Sequence, residues 1–529
     1  MKKFVALMLA LVMLLSITAC AESVSPRVLP LEGYDMVEVP TDVISYDSEL
    51  VMTYIQEFAN FTQVPRPSYN TIQMAEYLQV WAAAHGLESE MDQVNNVVIF
   101  VPATEGYEDA PVVAVQGHID MVPAVDEGVE HDWDNDPLTL IWTENSVKAD
   151  GTSLGADNGS GLAFMLTYMD YLDTYVHGPM RFIFTVDEEV GMLGAAALDP
   201  KYVEGVDYLI NVDGGYGGAV ISCAGGKYFY FSHDAEYTQP TEGSVVYALE
   251  FAGLTGGHSA GVGGGKANGL VAMANALLTL DQAGYSFQIA SFEGGNATNA
   301  IPSSSKAVIA INAADEEGIT SLLDEFAKRF KDSYILETNY TFTYGPSDLT
   351  VEKVLTEELS ANLVGLMSMV PNNIHTLLAT ASGTEASSNL GTLTIDDSTI
   401  TFCCFMRSSS SYQAEQITLI NNQLAKLTGF TLEVPVTLAT WPMKAENKLA
   451  DMAAQVYNEI TGEEFVLSAI HAGVEGGEFA PKNEDMDIIS TGVSGGSAGH
   501  TTAETMNFDK VEESCTFLTT LIQRLVEAG

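Results

Sequence analysis

Basic residues are scarce in this chain. Its 529 residues hold 21 Lys and Arg against 71 Asp and Glu, a formal net charge of −50. So acidic a surface repels polyanions, which excludes nucleic acid and an anionic membrane face as partners. Cysteine is also rare: five residues, with no CxxC spacing, which argues against a disulfide framework or a thiolate metal site. With Cys20 set aside, Cys223, Cys403, Cys404 and Cys515 are expected to be buried thiols. Beyond the N-terminus no run is long and apolar enough to span a bilayer. Hydrophobic residues make up 47% and aromatics 9%, too many for a disordered chain. The length predicts two or three domains.

The N-terminus reads as a targeting segment. Lys2 and Lys3 precede an apolar run from Phe4 to about Leu15, followed by Ile17-Thr-Ala-Cys20. A cysteine directly after Ile-Thr-Ala resembles a bacterial lipobox. Residues 1–20 are therefore expected to be a lipoprotein signal peptide with Cys20 lipidated, and residues 21–48, with Pro26, Pro30 and Pro40, a tether. That predicts a secreted, extracytoplasmic protein, held to the bacterial cell membrane only by its lipid. Ordinary cleavage near Ala21 is the alternative.

From residue 49 helical and strand patterns alternate. Helices are predicted over 50–61, 69–85 and 162–171, and strands over 97–101, 112–115, 180–186 and 209–212. Such alternation predicts an α/β domain whose largely parallel sheet is covered by helices. From about 222 longer strands (244–251, 304–311, 400–406) alternate with helices near 266–282, 317–331 and 413–427. After Trp441-Pro442 the first texture resumes, with a helix at 446–460, a strand at 487–490 and a helix at 509–527. The predicted organisation is a split catalytic domain, 49–221 and 441–529, with an α+β lid inserted at 222–440.

The chemistry-bearing residues fall where elements end. Val112-Val-Ala-Val115 leads into Gln-Gly-His118-Ile-Asp120. If the strand persists, His118 and Asp120 share a face, so an acid can fix one imidazole nitrogen while the other binds a metal. Asp157 lies in Gly155-Ala-Asp-Asn-Gly-Ser-Gly161 before a helix, where a capping role is the common one. Asp187, Glu188 and Glu189 follow Phe182-Ile-Phe184, and three successive carboxylates need solvent or a cation. Asp213 ends another apolar run, and His500 follows the strand at 487–490. Gathered on the carboxyl edge of one sheet, these residues suit a pair of divalent ions. Zinc is expected, with manganese or cobalt as other possibilities. Asp157 would be shared between the ions. Of Glu188 and Glu189, one would bind metal and the other act as base on a water whose pKa the ion lowers to roughly 7. The glycine-rich 256–265 is not a phosphate loop, since it lacks the Gly-Lys-Ser/Thr ending.

The order GHxD, GADN, DEE, a strand-end Asp and a late GH resembles the metallopeptidase family that includes carboxypeptidase G, peptidase T and the aminoacyl-histidine (Xaa-His) dipeptidases. The resemblance spans roughly residues 50–529. Thr152-Ser-Leu-Gly-Ala-Asp-Asn-Gly159, Cys223-Ala-Gly-Gly226, Gly257-His-Ser259, His471-Ala-Gly-Val-Glu475 and the large insertion point to the Xaa-His branch. It implies that His118 and Asp213 bind one metal, Glu189 and His500 the other, and that Asp157 bridges. Glu188 would be the general base and Asp120 would orient His118. In the insertion His258 would stabilise the oxyanion. Asn299 and Arg407 would contact the substrate carboxylate, and Glu475 its ammonium. His131, His233 and His375 match no ligand position.

Two departures stand out. Gly499-His500-Thr-Thr replaces a Pro-His-Ser type of sequence, and Gly476-Gly477, with no cysteine, comes directly after Glu475. The expected activity is two-metal hydrolysis of dipeptides or other short peptides, with Xaa-His dipeptides as one class. The alternatives are an amidohydrolase or tripeptidase acting on N-acylated amino acids, and a non-catalytic peptide-binding lipoprotein. A monomer and a homodimer both remain open.

Overall fold

The computed structural model describes residues 28–378 and 383–527. They form two compact units. The first takes the chain up to Gly217, then Met452–Glu464, then Thr491 onward; the second takes Gly218–Asp451 and Phe465–Ser490.

In the first unit five strands lie in the order Glu88–Met91, Val97–Val101, Met180–Thr185, Val113–His118, Tyr208–Asn211. The strand Val113–His118 is parallel to both of its neighbours, and the two outer pairings on the Glu88–Met91 side are antiparallel. Every residue of Val113–His118 is buried. A strand covered on both faces reads as a continuous apolar run, not an alternating one. The helix Ala156–Asp170 packs against it, and Ile72–Ala84 packs against Val97–Val101. A second, four-stranded sheet joins Leu140–Trp142, Ser146–Ala149, Thr505–Asn507 and Gly496–Ser497. The last two form a hairpin whose loop carries His500.

Residues 28–48, expected as a tether, lie against this unit. Tyr34 packs edge-on to Tyr77 at 5.0 Å, the Val37 N–H donates to Asn60 Oδ1 at 3.1 Å, and Ile44 is fully buried. Prolines and acids signalled a linker, but the aromatic and branched residues between them supply a docking face. Residues 1–27, including Cys20 and the predicted signal, lie outside the described residues. Among the described residues no helix is long and apolar enough to cross a membrane.

The second unit is built on an antiparallel sheet. Its path runs Thr341–Pro346, Ser244–Ala252, Ser305–Asn312, Phe287–Gly294, Thr384–Ile395, Thr399–Ser408, Gly225–Asp234, Thr431–Glu433. Tyr247, Leu249 and Phe251 point to the buried face while their neighbours stay half-exposed, the period-two pattern of a one-sided sheet. Helices such as Gly269–Gln282 and Glu357–Met369 cover that face with Met273, Leu277, Leu363 and Met367. The four described cysteines are buried free thiols, as their surroundings predict. The first crossing between units falls at 217/218, against 221/222 expected, and Phe465–Ser490 also joins the second unit. The physical reason is pairing: Gly218–Cys223 runs parallel to Val466–Ile470, and Cys223 bridges to Trp441.

Candidate metal centre and substrate group

His118 is the last residue of its strand and is wholly buried. Its Nδ1 faces Asp120 Oδ1 at 3.3 Å, and its Nε2 lies 3.2 Å from Asp157 Oδ1 and 3.7 Å from Asp213 Oδ1. One nitrogen thus meets an orienting acid and the other a pair of acids. Asp120 also ties down the acidic loop. Its Oδ1 accepts the Glu188 N–H at 3.0 Å, and its Oδ2 accepts from the Glu189 N–H at 3.4 Å and from Ser68 Oγ at 2.8 Å.

Asp157 divides its oxygens. Oδ1 faces His118, while Oδ2 lies 3.3 Å from Nε2 of His500, which in turn is 2.9 Å from Glu189 Oε1. Asp157 is not the helix cap. The helix begins at Ala156, ahead of the predicted start at 162, with Gly155 at the cap in a left-handed conformation (φ 70°). Asp157 itself keeps extended dihedrals (φ −89°, ψ 114°) inside the first turn. Asp187 and His500 also sit at left-handed φ, 56° and 65°. A non-glycine residue there costs roughly 1–2 kcal/mol, so its neighbours must hold it. For Asp187 the Tyr69 N–H does so, donating to Oδ1 at 2.6 Å.

Three sets of donors lie with their ligand atoms within 4.8 Å of one another: His118, Asp157 and Asp213; Asp157, Glu189 and His500; and His118, Glu188 and Glu189. Crowding shifts their protonation. Burial and the nearby Asp157 raise Glu189 to about 7 against the pull of His118. Burial lifts Asp213 to about 6, with His118 opposing. Burial works against the charged form of Asp157, yet its bonds to His118 and Asp213 hold its carboxyl well below the usual range. Burial likewise disfavours the His118 imidazolium, but Asp213, Asp120 and Asp157 outweigh it and raise the pKa. Half-buried carboxylates forced together in this way are what a divalent cation neutralises. Oxygen and imidazole donors without thiolate suit zinc, manganese or cobalt, so the residues present fit two such ions.

In the second unit His258, Ser259, Asn299 and Arg407 come together. The short strand Gly257–His258 pairs with Ala300–Ile301, and the Ser259 N–H donates to the Asn299 carbonyl at 2.8 Å. Arg407 is only 6% exposed. Its Nε reaches Ser259 Oγ at 3.4 Å, its Nη2 lies 3.5 Å from His258 Nε2, and the guanidinium stacks over Phe405 at 4.5 Å. Among the described residues these polar partners include no carboxylate, so Arg407 is not a surface ion pair. Asn299 joins through its backbone, with its side chain exposed. Glu475 is buried at the start of the short helix Gly476–Phe479.

Four participants carry no sequence signal of their role. Ser68 and Arg66 belong to Pro65-Arg-Pro-Ser68, which reads only as an interhelical turn. Glu504 lies four residues beyond His500, in a stretch with no motif of its own. His471 donates to or accepts from Ser387 Oγ at 2.7 Å, and burial together with the Arg407 charge lowers it to about 4.

Imidazoles and carboxylates converge at the strand ends of an α/β unit in the arrangement a metal centre needs. The profile of peptidase family M20/M25/M40 matches residues 114–524, and the chain belongs to that family. Over 476 residues it is 30% identical to the cytosol non-specific dipeptidase of Escherichia coli (strain K12), covering 88% of this chain and 96% of that protein. The crystal structure of aminoacylhistidine dipeptidase from Vibrio alginolyticus matches with a TM-score of 0.84 at 27% identity, covering 90% of this chain and 98% of that one. A shorter match, 28% identical over 155 residues, is to peptidase T of Macrococcus caseolyticus, covering 25% of this chain and 37% of that protein. The chain is a metal-dependent peptide-bond hydrolase with the α/β fold of its family.

These relatives correct one expectation. The extracytoplasmic, lipid-anchored placement read from the N-terminus is overturned, because the relative that aligns along most of the chain is by name a cytosol enzyme. The non-catalytic lipoprotein alternative finds no support either.

Proposed function

We propose that this protein is a dipeptidase, with Xaa-His dipeptides among its substrates. The observation that carries the reading is the division of Asp157, one oxygen toward His118 and the other toward His500. His118, Asp157 and Asp213 would hold one ion, and Asp157, Glu189 and His500 the other, with zinc as the first expectation. Bound there, the ions would polarise the scissile carbonyl and acidify a water. Asp120 keeps His118 in one tautomer by accepting from Nδ1–H, so that Nε2 offers its lone pair. Glu188 takes the proton of the attacking water and returns it to the leaving amine, as a positioned carboxylate does in general acid–base catalysis. In the second unit Arg407 binds the substrate carboxylate through its fork, with Asn299 as a further contact. His258 donates to the oxyanion and Glu475 meets the substrate ammonium.

The names of the two relatives that span most of the chain support this range of substrate: one is a non-specific dipeptidase, the other an aminoacylhistidine dipeptidase. A panel of dipeptides varied at each position, assayed with zinc, manganese and cobalt and after chelation, tests the reading. Hydrolysis of several dipeptides including Xaa-His, lost on chelation and restored by a divalent ion, is the expected result. A metal-loaded protein that cleaves N-acylated amino acids or tripeptides and no dipeptide would replace it with the amidohydrolase or tripeptidase reading.

A further inference from the structure

We infer that Arg66 and Glu504 are positioning residues that fix the backbone beneath Asp157 and thereby set the carboxylate that the proposed reading shares between two ions. The inference rests on that reading and adds two residues that touch neither a ligand oxygen nor a ligand nitrogen by hydrogen bond.

Both side chains are buried, Arg66 at 1% and Glu504 at 2% exposure. An isolated charge in such a place is costly unless hydrogen bonds satisfy it. Both find their partners in the backbone. Arg66 Nη1 donates to the carbonyls of Ile119 at 2.9 Å and Asp120 at 3.1 Å, and Nη2 donates to the Gly155 carbonyl at 2.5 Å. Glu504 Oε2 accepts the N–H groups of Leu154 at 2.9 Å and Gly155 at 2.8 Å, and Oε1 accepts that of Asp157 at 3.2 Å. Burial lowers Arg66 to about 10, with Glu504 and Asp120 the largest charges opposing it.

The segments tied together are those that carry the ligands. Arg66 links the peptide just after His118 to Gly155. Glu504 links residues 154–157 to the loop of His500, where its own N–H donates to the Thr501 carbonyl at 3.2 Å. Space confirms how close the guanidinium lies. A Cβ at Gly155 would strike Arg66 Nη2, and one at Gly159 would lie 3.1 Å from it. Asp157 keeps non-helical dihedrals in a helical turn, so its direction depends on what holds the backbone on either side. Charge-assisted bonds from a carboxylate to three N–H groups are strong and directional.

The test is calorimetric titration of the full-length, metal-stripped protein with zinc and with manganese, alongside its melting temperature. Wild type is compared with Glu504→Gln, Glu504→Asp, Arg66→Lys and a control, Leu521→Ala, which opens a cavity at a fully buried leucine of the final helix, Val511–Glu527. Glu504→Gln presents an amide N–H₂ to backbone donors, so affinity for an ion should fall about 10–100-fold, the usual effect of losing an outer-shell partner. Glu504→Asp should recover part of that affinity. The control, although less stable, should keep its affinities within about threefold, as expected of distant independent sites. Should Glu504→Gln fail to fold, Arg66→Lys carries the same expectation. Wild-type affinities in the folded Glu504 and Arg66 variants, or an equal loss in Leu521→Ala, would overturn the inference while leaving the two-ion reading in place. A wild-type chain that binds fewer than two ions would overturn both.

Discussion

The two units use charge in opposite ways. In the first, Asp120, Asp157, Glu188, Glu189 and Asp213 crowd around two imidazoles, and the excess of acid is too great for His118 and His500 to neutralise. In the second, a buried arginine rests on hydroxyl, imidazole and aromatic partners, with no acid among them in the described residues. A chain with 71 acids and 21 cations could easily have paired that arginine. An acid cluster short of positive charge attracts metal ions. A guanidinium short of negative charge attracts an anion.

The largest effect should come from Glu188. Glu188→Ala is expected to lower kcat by about 10²–10⁴, the usual contribution of a general base, while the bound-ion count stays at the wild-type value. Loss of ions in that variant would make Glu188 a ligand and blur the division of labour with Glu189. Arg407→Met should come next. Removing a hydrogen-bonded charge pair costs about 1.5–3 kcal/mol, or roughly 10–150-fold in kcat/KM, appearing mainly in KM. Peptides with an amidated C-terminus should be nearly indifferent to the change. Equal losses on free and amidated substrates would mean that Arg407 does not bind the carboxylate. Ser68→Ala is the mildest. It deletes one neutral donor to Asp120, so a loss of ~1 kcal/mol, about fivefold in kcat/KM, is expected; no change would show that the Glu188 and Glu189 N–H groups hold Asp120 unaided.

What was legible in the sequence follows from the same contrast. His118, Asp213 and the acids at 187–189 each follow a mostly apolar stretch, and burial of such a stretch leaves its polar end at a sheet edge. Asp157 was visible as a candidate, but its helix starts six residues earlier than the apolar pattern suggests, because Ala156-Asp-Asn-Gly-Ser-Gly161 has too few apolar residues to show a helical period. Arg66 and Glu504 were not legible at all. Their partners are backbone amides and carbonyls, which every residue carries and no side-chain pattern marks. Residues 28–48 misled for a related reason: prolines announce irregular backbone, not whether that backbone lies on a surface. The boundary between units was displaced because Gly218–Cys223 and Val466–Ile470 find each other across more than two hundred residues, a pairing that no local pattern encodes.

The bridging role of Asp157 is the claim on which the account rests. Elemental analysis of the purified protein, dialysed against zinc and then freed of excess, tests it with the wild type beside Asp157→Ala. The account predicts two ions per chain in the wild type, and in the variant at most one ion together with loss of dipeptide hydrolysis. Two tightly held ions in Asp157→Ala, or one or none in the wild type, would contradict it.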